Sequence, residues 1–164
     1  MSEHSIAHSV LCISTPQSNA FLTERDETLR KKMTLALARL LNVFAAELCR
    51  IYPERFSWLA IMPLPHVQES ITELKRMFAM VGRQPVGVGV LTNHEGLYPG
   101  DEAFDPLWEF LQERAGKDGG NGKEVVFVHP TEPILKLDDG RLINSRPCKF
   151  FCFFPLERCF VTRN

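Results

Sequence analysis

The chain has 164 residues, 45% of them apolar and 24% charged, with a net charge of −1 at neutral pH. That length suffices for one domain with a proper core, and the near-neutral balance leaves no electrostatic footprint for nucleic acid or an anionic membrane. The N-terminal "MSEHSIAHSVLCISTP" has no basic head and no long apolar run, so it does not read as a secretory signal, and the apolar "FFCFF" at 150–154 is far too short to cross a bilayer.

Along the chain, "HSVLCIS" (8–14) is a short apolar run rich enough in Val and Ile for a buried strand. Residues 23–50 read as one long helix, with Thr23 and Asp26 resembling a capping box. Its expected inward stripe is Leu29, Met33, Ala36, Leu37, Leu40, Phe44 and Leu48, at three- and four-residue steps. Pro53 closes it. "RFSWLAIMPLP" (55–65) is a second strand, and "VQESITELKRMFAMVG" (67–82) a second helix with Ile71, Leu74, Met77 and Phe78 facing inward. "PVGVGVLT" (85–92) is a third strand whose glycines point to close packing of a neighbour. "DPLWEFLQERAG" (105–116) is a third helix, with Asp105 suited to the N-cap and Pro106 to the first turn. "KDGGNGK" (117–123) is a turn, and "EVVFV" (124–128) a fourth, buried strand that runs straight into His129. Beyond Pro133 there is a turn at Asp139–Gly140 and then no clear period.

The order β-α-β-α-β-α-β implies an α/β fold with parallel strands and right-handed crossover helices. It fits either an open doubly wound sheet or part of a (β/α)8 barrel; a whole barrel takes about 250 residues, so this chain supplies about half of one. The five cysteines, Cys12, Cys49, Cys148, Cys152 and Cys159, are odd in number and irregularly spaced. They read as reduced thiols of a cytoplasmic protein, and the C-x3-C-x6-C run of the last three is a weak metal signal.

Parallel α/β folds bind ligands at the carboxyl ends of their strands. Here those ends are Ser14–Pro16, Pro63–His66, Thr92–Glu95 and His129–Glu132, which hold three of the five histidines. A histidine ending an apolar strand is a good ligand for zinc or manganese, or a general base; it is equally a residue that a backbone carbonyl can satisfy. His94 and Glu95 are placed to bind substrate or simply to make a turn. His66 is expected to start the second helix, and His4 and His8, in "EHSIAH", do not form an H-x-H pair. No nucleophile elbow, P-loop or H-E-x-x-H motif is present.

Taken together, "SVLCISTP", "LARLLNVFAAELCRIYPERFSWLAIMPLP", "ELKRM", "VGVGVLTNHEGLYPGDEAFDPLWEFLQER" and "VVFVHPTEP" resemble the decarboxylase branch of the amidohydrolase superfamily. That branch includes aminocarboxymuconate semialdehyde decarboxylase, γ-resorcylate decarboxylase and the fungal 6-methylsalicylate decarboxylases; "LTNHEGLY" and "HPTEP" resemble the last most. The resemblance implies a metal-dependent (β/α)8 barrel acting on a small aromatic or dienoic carboxylic acid, with zinc or manganese as cofactor and homo-oligomeric full-length members. In the family the metal is held by an H-x-H pair on the first strand, a histidine ending a middle strand and a late aspartate. His129 matches the middle-strand histidine, Thr15–Pro16 the pocket-bordering loop after strand two, and Asn93 and His94 the loop after strand four.

The departures from the family shape the expectations. The matching region covers strands two to five of a barrel, with residues 1–135 as a partial barrel domain and 136–164 as a divergent tail. The H-x-H pair, the later histidine and the aspartate have no counterparts, and one histidine does not hold a catalytic zinc, which takes about three protein ligands. The chain is therefore expected to be inactive alone and, with open sheet edges, to associate or aggregate. The competing readings are a related metal-dependent amidohydrolase, a non-catalytic interaction protein derived from such a barrel, and an independent doubly wound binding domain.

Overall fold

A computed structural model describes residues 5–117 and 124–144; His4, most of the 117–123 turn and Cys148, Cys152 and Cys159 lie outside the described residues. The described elements are β1 (Ser9–Leu11), α1 (Glu27–Ile51), β2 (Phe56–Ile61), α2 (Val67–Phe78), β3 (Gly87–Leu91), α3 (Asp105–Lys117), β4 (Val126–His129), β5 (Ile134–Lys136) and β6 (Leu142–Asn144). Short 3-10 helices cover Gln17–Phe21 and Glu102–Phe104.

Local chemistry sets the helix ends. The Asp26 carboxylate accepts from the backbone N–H groups of Thr28 and Leu29, so α1 begins at Glu27 rather than at Thr23. His66 occupies the N-cap position of α2, as its place after Pro63 and Pro65 implies. The 3-10 turn Glu102–Phe104 runs directly into α3, which makes Asp105 its first residue and not its cap.

The four parallel strands lie side by side in the order β1-β2-β3-β4. This order decides between the two architectures. A doubly wound sheet reverses its strand order to place helices on both faces; sequential order with right-handed crossovers puts every helix on one face, the arrangement of a (β/α)8 barrel. The sheet is thus a four-stranded, open half-barrel. Register and the two-residue period assign its faces. Trp58, Ala60, Met62, Val88 and Val90 pack toward the helices in one core with Ala45, Ala46, Leu74, Met77, Phe104, Leu107 and Leu111. Leu59, Ile61, Gly87, Gly89, Leu91, Phe127 and His129 share the opposite, inner face. The β3 glycines meet close neighbours there: a Cβ on Gly87 would come within 2.6 Å of Val125 Cβ, and one on Gly89 within 3.3 Å of Cys12 Sγ.

Two expectations are corrected. The inward face of α1 is Thr34, Ala38, Asn42, Ala45 and Ala46, small or polar residues that let the helix lie close to the sheet. Of the expected stripe, Leu40 and Phe44 point to solvent at 65% and 63% exposure, and Leu29 is exposed as well. Val125 to Val128 are not buried either, at 39–54% exposure. They border β4, an edge strand, and the described chain after it turns into the antiparallel β5–β6 hairpin instead of a covering helix. That hairpin turns at Gly140, in the left-handed conformation (φ 81°), and crosses residue 135.

One buried polar residue locks α1 to the sheet. The Asn42 side chain accepts from Ile61 N–H at 2.8 Å and donates to Ile61 O at 2.9 Å and to Glu73 Oε1 at 3.0 Å. Asn42→Ala should strand both Ile61 backbone groups and lower stability by about 3 kcal/mol, measured as a drop in urea midpoint at unchanged slope.

Candidate functional site at the strand ends

All four parallel strands end at one rim, and the loops leaving β1, β3 and β4 are stitched to each other. Asn19, in the 3-10 helix after β1, donates from Nδ2 to the Asn93 carbonyl at 2.8 Å. Asn93, after β3, donates from Nδ2 to the Ile134 carbonyl at 3.1 Å, while its Oδ1 accepts from Gly96 N–H at 3.1 Å. Ser18 Oγ and His94 Nδ1 are hydrogen-bonded at 3.0 Å. Thr92 N–H donates to the His129 carbonyl at 3.0 Å, and Thr92 Oγ1 accepts from Thr131 N–H at 3.0 Å. Ser18, Asn19, Asn93 and His94 are all buried. Gln17 (φ 42°) and Glu95 (φ 52°) hold left-handed backbone in these loops, at a cost of about 1–3 kcal/mol each. Side-chain contacts secure both: Gln17 donates to the Ile13 carbonyl, and Arg30 donates to the Glu95 carboxylate at 3.2 Å.

Between the loops after β1 and β4 lies a cavity of about 270 Å³, lined by Thr15, Pro16, Asn19, Leu22, Thr131, Glu132 and Ile134. Thr15 is one of the residues on the wall of this cavity. Asn93 and His94 do not line this cavity; they form the buried framework behind it. Ser18, Asn19 and Thr131 were not singled out by sequence reasoning. Thr131 belongs to the quoted "HPTEP", but Ser18 and Asn19 meet partners about 75 positions away, a pairing that local sequence does not announce.

His129 ends β4 on the inner face, half-buried, with its ring 6.3 Å from that of Phe127 in an edge-on arrangement. Its Nδ1 lies 2.7 Å from the Pro130 carbonyl. A carbonyl only accepts, so Nδ1 is the donor; in the neutral ring Nε2 then keeps its lone pair, the arrangement by which a backbone carbonyl orients a metal-binding imidazole. The donor chemistry thus fits one arm of a metal site. The set does not: among the described residues no group of three or more His, Cys, Asp or Glu side chains could hold a metal ion. No step of a reaction is therefore routed through a metal here.

The geometry defines a class, a half-barrel of the (β/α)8 type with a ligand cavity at the strand carboxyl ends. The comparisons narrow it. No protein-family model matches the chain. It is 31% identical to Decarboxylase macB of Penicillium terrestre over 163 residues, 97% of this chain and 44% of that protein. It is 32% identical to Decarboxylase yanB of Aspergillus niger over 127 residues, 75% of this chain and 32% of that protein. Among solved structures, a dihydroxybenzoic acid decarboxylase from Polaromonas, with bound manganese and the inhibitor 2-nitroresorcinol, matches with a TM-score of 0.64 and 23% identity, covering 94% of this chain and 40% of that one. The chain is thus similar in sequence to these two decarboxylases and shares the fold of an aromatic-acid decarboxylase, and it spans less than half the length of the curated relatives it matches.

Burial pushes the His94 imidazole down to about 4, and the Leu91 carbonyl draws it only partly back; burial also lowers His66. The unfolded chain takes up a proton near the ordinary 6.5, the native His94 only near 4. Its contribution to stability is complete above about pH 6.5 and is lost as the pH falls toward 4, by up to about 3 kcal/mol. Urea midpoints should fall between pH 7.5 and 5, and His94→Gln should flatten that slope; an equally steep slope in the variant would refute the assignment.

Proposed function

We propose that this chain carries one side of the active centre of a metal-dependent carboxy-lyase for a small aromatic carboxylic acid such as 6-methylsalicylate, and that it is inactive alone. The observation that carries this reading is the His129 ring, oriented by Pro130 with Nε2 bare on the inner face at the strand-end rim. In this reading His129 is one ligand of a divalent metal, zinc or manganese, whose other ligands are not among the described residues. Manganese in the Polaromonas neighbour and the decarboxylase names of both curated relatives support it.

The cavity takes the substrate. Its volume of about 270 Å³ falls just below the ~300–1,000 Å³ of pockets for drug-sized ligands, which suits a one-ring acid. Hydroxyls of Thr15 and Thr131 offer donors to a carboxylate, and Pro16, Leu22 and Ile134 an apolar wall. Asn93 and His94 act by holding the loops in place. Holding the acid in one orientation is the part of catalysis these residues can supply.

Two measurements test the proposal. The purified chain with 6-methylsalicylate and added zinc or manganese should release no more CO2 than a metal-only control; turnover above that control would overturn the claim of inactivity. Titration with 2,6-dihydroxybenzoate should saturate, and Thr131→Leu should weaken binding by about tenfold, or about 1.4 kcal/mol. Non-saturating binding, or an unaffected variant, would remove the pocket from the reading.

A further inference from the structure

Folding leaves few buried polar atoms unpaired, because each one forfeits its hydrogen bonds to water. Among the described residues, the buried side-chain atoms without a partner are Asn19 Oδ1, Thr34 Oγ1, His66 Nε2, Ser70 Oγ and His94 Nε2. Of these residues, Asn19 alone lines the cavity between the loops after β1 and β4. It is 7% exposed. It also borders an adjoining cavity of about 290 Å³, which shares Leu22 and Ile134 and is closed by Ala20, Thr23 and Leu142. An orphaned buried acceptor therefore stands where two cavities meet.

The chemistry of its one contact fixes which end of the carboxamide is free. The Asn93 carbonyl only accepts, so Nδ2 faces it, at 2.8 Å. The flipped amide would set two oxygens against each other. The end left over, Oδ1, accepts and cannot donate. Neighbouring walls do not supply its donor: Thr131 N–H is committed to Thr92 Oγ1 at 3.0 Å, Pro16 has no N–H, and the Leu22 and Ile134 side chains are apolar. Turning the side chain to find one would break the bond to Asn93 that ties the loops together. What satisfies the oxygen is an O–H or N–H on the molecule that fills the cavity.

We propose that Asn19 selects, among small aromatic acids, those that carry a ring hydroxyl, which donates its hydrogen bond to Asn19 Oδ1. The inference rests on the reading of this cavity as the seat of an aromatic acid, and it adds which part of the acid is recognised. At neutral pH a phenol keeps its proton, with a pKa of about 10 like that of tyrosine, so it arrives as a donor. A hydrogen or a methyl group at the same ring position leaves the oxygen unpaired, and a methoxy group sets a second lone pair against it. Sites that meet a substrate hydroxyl with a buried partner discriminate strongly against the analogue that lacks it. The cavity then divides its work: threonine hydroxyls for the carboxylate, an apolar wall for the ring, and Asn19 for the hydroxyl. Because the other end of Asn19 holds the loop after β3, recognition and loop spacing meet in one side chain.

The test is a titration of the full ¹⁵N-labelled chain, followed by ¹⁵N–¹H correlation spectra. The ligands are benzoate, the 2-, 3- and 4-hydroxybenzoates, and the matching methoxybenzoates. At least one hydroxybenzoate should bind about tenfold more tightly than both benzoate and its own methoxy counterpart. It should also move the Asn19 side-chain NH2 signals, which benzoate leaves in place. In Asn19→Ala that affinity ratio should fall to about one. A purely structural role would weaken all the acids alike and keep the ratio, so a preference that survives in the variant would overturn the proposal. Equal affinities across the panel would overturn it too, while leaving the cavity an aromatic-acid site. Failure of every acid to saturate would overturn both. If Asn19→Ala does not fold, the affinity ratio and the Asn19 signals of the unaltered chain decide alone.

Discussion

Sequential pairing of four parallel strands is the constraint from which the rest of this structure follows. It puts α1, α2 and α3 on one face, so a single core forms between Trp58, Ala60, Val88 and Val90 and the helices. It brings all four strand ends to one rim, where the connecting loops must meet. It also leaves β1 and β4 with one strand neighbour each among the described residues, while Leu59, Ile61 and Leu91 of the inner face are buried. The site and the exposed surfaces are two consequences of one topology.

At the rim, buried hydrogen bonds convert adjacent loops into a framework. Asn93 is the hinge of this arrangement: its carbonyl takes Asn19, its amide takes Ile134 and its side-chain oxygen takes Gly96. Burial, which disfavours the charged ring, keeps His94 neutral beside Ser18, with its Nε2 left without a hydrogen-bond partner. The framework has a plain functional consequence. With the loops after β1 and β4 held apart by fixed contacts, a cavity lies between Thr15 and Thr131, while the end of β4 presents the His129 ring on the inner face.

Much of the architecture was legible in the residues. Proline and glycine punctuation marked the element ends, and the strand–helix alternation gave parallel strands; strand order, which selects the barrel type over the doubly wound sheet, is not written in periodicity. The misreadings have physical causes. In α1 the apolar residues do recur at helical steps, but close approach to the sheet selects Ala38, Ala45 and Ala46 for the inner face and displaces the larger Leu40 and Phe44 outward. In β4 the apolar run is real, yet burial depends on what lies beside a strand, and composition does not show that. β5 and β6 are three residues each, too short for a period to emerge. Asn42, which no periodicity singles out, is the anchor of α1 on Ile61. For the site, Thr15 and His129 came from their position at strand ends and from family resemblance, whereas Ser18 and Asn19 depend on contacts that only the folded chain creates.

The central claim is that the imidazole ending β4 is held with one nitrogen committed to the backbone and the other bare at the rim. A long-range ¹⁵N–¹H correlation spectrum of the histidine side chains at pH 8 reads this directly. The account predicts that His129 is found in the tautomer with the proton on Nδ1 and an unprotonated Nε2. A His129 ring protonated on Nε2, or one exchanging evenly between the two tautomers, would contradict it.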